Sequence, residues 1–257
     1  MDKDTREYGC FAELVLLSQN KWEENRFIDD IKTDWGMVLC KNAQEDLVLT
    51  TDCMRLQVSI LSEREPDKTS YTHTSVNRRE KDAMEMLQNY RTHILIAVSA
   101  EDSDLLECGK LLTQTVSSSL KQGRCLGIYI EGAVFDPSFY IGIAPFIRKY
   151  SDVLLIPQIV CLGIHIADGH PGIYTYGMRQ FGKEEIEIYA NADLSEAREF
   201  LLEMVLHILD KDIELQEGTN MFSFRGYRLN ITLSDGIAVD GKSLKIEYPQ
   251  RENIWNY

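Results

Sequence analysis

Residues 92–98 read Thr-His-Ile-Leu-Ile-Ala-Val, an aliphatic and β-branched run flanked on both sides by segments with helical spacing. Such a run is a strand buried on both faces, and the helices beside it must cover the sheet it belongs to. On the N-terminal side, residues 78–90 bring Ala83, Met86, Leu87 and Tyr90 to one face. On the C-terminal side, Asp104 and Glu107 stand in capping-box spacing, and Leu105, Leu112, Val116 and Leu120 form one stripe before Gly123.

The same alternation recurs along the chain. Residues 12–17 and 126–130 are short apolar strands, and Met54, Leu56, Val58 and Ile60 alternate with polar neighbours. Phe27, Ile28, Ile31 and Trp35 mark a helix that Gly36 closes. Thr51-Asp52 reads as a hairpin turn between residues 47–50 and the strand that follows. Asp136-Pro137 opens another helix, which Pro145 should break or kink. Residues 153–166 read as a strand with an irregularity at Pro157. Asp193 and Glu196 cap the cleanest amphipathic helix, carrying Leu194, Ala197, Leu201, Met204, Val205 and Ile208. Residues 221–248 are strand and turn, with Asp240-Gly241 as a hairpin signal.

The pattern predicts an α/β (α+β) protein of mixed, largely antiparallel sheets flanked by helices. A length of 257 residues accommodates a single domain or two subdomains. The polar stretch 62–77, with Pro66 and no periodicity, divides the chain into 1–77 and 78–257. Two α-plus-β halves of similar shape are a further possibility.

Composition narrows the function classes. The formal net charge is −14, and the one basic cluster, Arg78-Arg79-Glu80-Lys81, is short and diluted. Nucleic acid and anionic membrane surfaces are therefore poor partners, and a basic protein is a better one. The N-terminal residues are too polar and acidic for a signal peptide, and no apolar run approaches the ~18 residues of a membrane span. Six scattered cysteines without a Cys-x-x-Cys pair fit a reducing cytoplasm. No phosphate-binding loop, dinucleotide fingerprint or nucleophile elbow occurs, and no cofactor is expected.

Three groups of residues remain as site candidates. His165, Asp168 and His170 supply three metal-ligand types within six residues, or are merely a strand and its turn. Glu185 and Glu187 alternate with Ile186 and Ile188. They form an acid/base pair whose mutual repulsion raises a pKa, or a solvated strand face that guards an edge. Arg179 is placed to salt-bridge one of them. Glu131 ends a strand read as parallel, where α/β sheets bind ligands. Gly177 and Gly182 permit a tight positive-φ path between two strands, and with Arg179 and Glu131 they complete the candidate binding residues.

The stretch 174–188 contains Thr175, Gly177, Met178, Phe181, Gly182, Glu185, Ile186 and Glu187 in a distinctive order. It resembles the signature of a bacterial family, domain of unknown function 4261. The strand at His93, the helix at Leu111-Leu112-Thr113 and the strand at Leu126-Gly127-Ile128-Tyr129 resemble that family's upstream elements. The resemblance implies a fold and carries over no catalytic residue. Two functions follow as expectations: a non-catalytic binding module of immunity or adaptor type, or a hydrolase using Glu185 and Glu187 or a metal near His165 and His170.

Overall fold

A computed structural model describes residues 10–19, 21–51, 53–61, 80–100, 105–130, 133–147, 160–167, 169–189, 193–215 and 222–249. The chain divides into two units, 1–159 and 160–257. Among the described residues there are five α-helices and fourteen strands, and no helix is long and apolar enough to cross a membrane.

The first unit is built on a seven-stranded sheet. In sequence order its strands are β1 (Cys10–Leu17), β2 (Cys40–Lys41), β3 (Leu47–Thr50), β4 (Met54–Leu61), β5 (Thr92–Ala100), β6 (Cys125–Ile130) and β7 (Ala133–Phe135). Across the sheet they run β2-β3-β4-β5-β1-β6-β7, every pair antiparallel. The run at residue 92 is thus the central strand. The strand ending at Ile130 is not of parallel type, so the ligand-site rule for parallel sheets does not apply there. Glu131 itself lies outside the described residues.

Helices cover both faces. Helix α3 (Leu105–Ser119) packs on β1 and β5, and contacts α1 (Glu24–Trp35) and α4 (Pro137–Ile147). The Trp35 indole N–H donates to Ser118 Oγ at 3.0 Å, and the Glu23 N–H donates to Gln122 Oε1 at 2.8 Å. Helix α2 (Glu80–Asn89) lies on the opposite face, where Ala83, Leu87 and Tyr90 close over Leu16 and Val134. Helix α4 continues two residues past Pro145, further than the sequence suggests.

Among the described residues of this unit, Glu13 is the one buried carboxylic acid. Glu13 lies opposite Ile96, in the row that holds Phe11, Val15, Ile94 and Val98, and is 2% exposed. The Tyr140 hydroxyl of α4 donates to Oε1 at 3.0 Å, while Oε2 has no partner. Burial pushes the carboxyl up to about 8, against the smaller opposing effect of Tyr140.

The second unit holds a five-stranded sheet ordered β13-β14-β10-β9-β8: β8 (Cys161–Ala167), β9 (His170–Tyr176), β10 (Glu185–Tyr189), β13 (Ile231–Asp235) and β14 (Lys242–Glu247). A hairpin of β11 (Phe222–Phe224) and β12 (Tyr227–Leu229) stands apart from it. Among the described strands only β10 and β14 pair in parallel. The chain between them includes α5 (Leu194–Asp210), capped by Asp193, whose carboxylate accepts from the N–H groups of Ser195 and Glu196. Ala197, Leu201, Met204, Val205 and Ile208 are its buried stripe, and Ile186 and Ile188 are buried on β10. The β13–β14 connection spans residues 236–241, longer than the two-residue turn that Asp240-Gly241 suggests.

Candidate functional site

Strands β9 and β10 are joined by a 3-10 turn, Met178–Phe181, flanked by Gly177 at φ 114° and Gly182 at φ 69°. Only glycine adopts these values without strain, so both are backbone requirements of the turn. The turn aims its N–H groups inward. Gly177 and Arg179 donate to Glu185 Oε1 at 2.9 and 3.3 Å, and Thr175 Oγ1 donates to Oε2 at 2.7 Å. Thr175 Oγ1 in turn accepts from the Ile186 N–H at 2.8 Å. Burial outweighs these donors and holds the Glu185 carboxyl above its usual range.

Glu187 is fully buried. Its Oε1 accepts from the N–H groups of Ile237 and Ala238, at 2.9 and 3.3 Å, and from Ser243 Oγ at 3.1 Å. Its Oε2 accepts from the Tyr189 hydroxyl at 2.6 Å and pairs with Lys245 Nζ at 2.9 Å. Burial alone would raise this carboxyl. The Tyr189 and Lys245 donors, the Ile237 N–H and the lysine charge prevail and hold it at about 2. The solvated-face reading of these two glutamates therefore fails. The loops that join β9 to β10 and β13 to β14 supply their donors, so they are buried ties.

Arg179 makes no salt bridge to either glutamate. Its Nη2 donates to the carbonyls of Asp240 and Lys242, at 2.5 and 2.8 Å. The 236–241 loop is thus held by Glu187 beneath residues 237 and 238, and by Arg179 at its far shoulder.

The register places His165 and His170 on one face of the β8–β9 pair, since His165 opposes Gly172 and Ala167 opposes His170. His165 Nε2 lies 3.1 Å from the Tyr189 hydroxyl oxygen. That hydroxyl gives its proton to Glu187, so Nε2 is the donor and Nδ1 is left without a partner. Burial pushes His165 down, partly opposed by Glu187, while burial and Glu187 together push Tyr189 up. A chain of hydrogen bonds therefore runs from buried Glu187 through Tyr189 to half-buried His165. Asp168 lies outside the described residues. Among those described, no three His, Cys, Asp or Glu side chains are grouped to hold a metal.

Lys245 Nζ also donates to Ser243 Oγ at 2.6 Å. The pair has the spacing of a nucleophile and its base, but Ser243 is fully buried and the lysine is an ion-paired donor. Here it completes the Glu187 tie.

A pocket of about 260 Å³ opens among β10, α5, β13 and β14. Ile186, Ile208, Leu233 and Leu244 line it, with Lys183, Glu184 and Glu214 on its polar side; neither Glu185 nor Glu187 reaches it. Of the pocket residues, sequence reasoning singles out Gly182 as a binding candidate and Glu184 as a carboxylate, whereas Lys183, Ile208, Ile213, Glu214, Leu233 and Leu244, with Tyr189, Ser243 and Lys245, escape it as site residues. Strand pairing brings them together over more than 50 positions, as between Glu187 and Lys245. The alternation of Lys245 with Leu244 and Ile246 was the only local signal.

These features define a class: an α-and-β protein with largely antiparallel sheets, whose second unit carries a loop signature closed by two buried glutamates. Residues 174–247 match the family described as Domain of unknown function (DUF4261). The matched span runs from β9 to the end of β14 and includes both glutamate ties, Arg179 and every pocket residue. The likeness drawn at His93, Leu111 and Leu126 lies upstream of it. No curated protein and no solved structure matches the chain.

Proposed function

We propose that this chain is a non-catalytic protein-binding module of the immunity or adaptor kind, with a basic protein as its partner. The observation that carries this reading is the use made of Glu185 and Glu187. Each accepts donors from its own unit, including backbone N–H groups, and neither lines the pocket. A reactive carboxylate must instead reach a substrate atom. The net charge of −14 favours a cationic partner and speeds encounter with it. Affinity capture with the full chain from its native lysate tests this. A basic protein in stoichiometric amount is the expected result, and repeated recovery of none refutes the reading.

One observation favours the hydrolase alternative. The two carboxyls lie two residues apart, and their surroundings push them in opposite directions, as in an acid/base pair. Screening the wild type and Glu185→Gln against ester, glycoside, phosphoester and peptide substrates separates the readings. An activity abolished in a folded Glu185→Gln variant would replace the binding-module proposal. Metal analysis of the purified chain does the same for His165 and His170.

A further inference from the structure

The pocket of the second unit combines an aliphatic interior with an acidic mouth. Its interior includes the half-exposed side chains of Ile213, Leu215 and Leu233, which present apolar surface to water. At about 260 Å³ it is smaller than the ~300–1,000 Å³ usual for small-molecule sites. An apolar side chain is a better match in size.

The mouth is net acidic. Lys183 has a side chain only 7% exposed, and its ammonium donates to Asp212 Oδ1 at 2.7 Å and to Glu214 Oε1. The side chains of Asp212 and Glu214 are 91% and 64% exposed. Counting Glu184 on the lining, the mouth holds three carboxylates to one covered ammonium, two of them paired to it. An anionic ligand would have to displace Asp212 and Glu214 from Lys183 and would meet Glu184 as well. A cationic ligand meets a net negative mouth, because the one ammonium there, Lys183, is covered and already ion-paired.

We propose that this pocket anchors a basic peptide segment of the partner: one apolar side chain enters the cavity, and flanking Lys or Arg residues rest on Glu184, Asp212 and Glu214. The arrangement is that of an interface hot spot, a desolvated anchor inside a polar rim. The inference rests on the protein-binding reading and adds the place and chemistry of contact.

The test uses the full chain with ¹³C-labelled Ile, Leu and Met methyl groups, titrated with the peptide Arg-Lys-Ser-Phe-Ser-Lys-Arg. Saturable shifts at Ile186, Ile208 and Leu233 are expected, with Leu56 in the first unit unmoved. Replacing the probe's Phe by Ser should abolish them. The double variant Glu184→Lys, Glu214→Lys should weaken the probe roughly tenfold or more at low salt. The inference is overturned by shifts confined to other methyls, by no shift at millimolar probe, or by affinity indifferent to the charge reversal. It also falls if hexanoate moves these methyls and the peptide does not. The two proposals fail separately. Equal capture of a partner by the wild type and the double variant removes the pocket and leaves the binding module, whereas no capture by the wild type removes the module.

Discussion

Replacing Glu13 by glutamine should raise the stability of the first unit relative to the wild type as pH rises, with the variant the more stable by pH 8. The native carboxyl takes up its proton at about 8, whereas the ordinary value is 4.5. Below pH 4.5 both folded and unfolded forms are protonated, and the group costs nothing. Between 4.5 and 8 the folded form keeps the proton that the unfolded form has lost. Stability then falls by about 1.4 kcal/mol per pH unit as pH rises. At pH 7 the accumulated cost is about 3 kcal/mol, and above pH 8 it levels off near 5 kcal/mol. That is a large share of the roughly 5–15 kcal/mol that holds a typical domain together. Glutamine keeps an acceptor for the Tyr140 hydroxyl and carries no titrating proton. Its amide N–H groups meet the same unpartnered surroundings as Oε2, at a cost of about 1–3 kcal/mol. The variant should therefore be level with the wild type or weaker at pH 5, and more stable by pH 8. Urea melts from pH 5 to 8 followed by the fluorescence of Trp22 and Trp35, both in the first unit, measure the difference. Equal pH slopes for the two proteins would show that Glu13 is not the group that sets them.

Other perturbations reach the second unit. Glu187→Gln leaves Lys245 without its counter-ion and should cost about 3–5 kcal/mol, read by urea denaturation. Because Glu187 is held at about 2, its contribution is complete above pH 4.5 and should disappear as pH falls through 2. Thr175→Val strips Glu185 Oε2 of a donor and the Ile186 N–H of an acceptor. A loss of about 2–4 kcal/mol is expected, with faster amide exchange at Ile186. Among the cysteines, burial pushes Cys125 up to about 12, while Cys40 and Cys53 are exposed. A thiol reagent at pH 8 should modify Cys40 and Cys53 promptly and leave Cys125 intact until unfolding.

What the sequence discloses here follows the range of the interactions. Helix α1 with its Gly36 stop, the Asp193 cap, the central strand at residue 92 and the β3–β4 hairpin all depend on neighbours within a few positions. Each is legible in periodicity and turn chemistry. The Glu185 tie is nearly as local, since its donors at Thr175, Gly177 and Arg179 lie within ten residues. Glu187 is different. Alternation alone places it on a face, and whether that face is wet depends on a loop 50 residues later. The pocket is illegible for the same reason, because the pairing of β10 with β14 is non-local. Glu13 was within reach, as the one charged residue in the apolar run 12–17, and its cost follows only once α3 and α4 cover it.

The parallel pairing of β10 with β14 has a consequence for synthesis. Glu187 leaves the ribosome well before Lys245, Ser243 and the N–H groups of Ile237 and Ala238. Until then, the nascent second unit carries an anion that only water and the neighbouring Tyr189 hydroxyl can satisfy, and strand β10 lacks its parallel partner. Translation therefore delivers the counter-charge among the last parts of the sheet. A ribosome stalled before residue 242 would present an open edge at β10 to any chaperone or protease nearby.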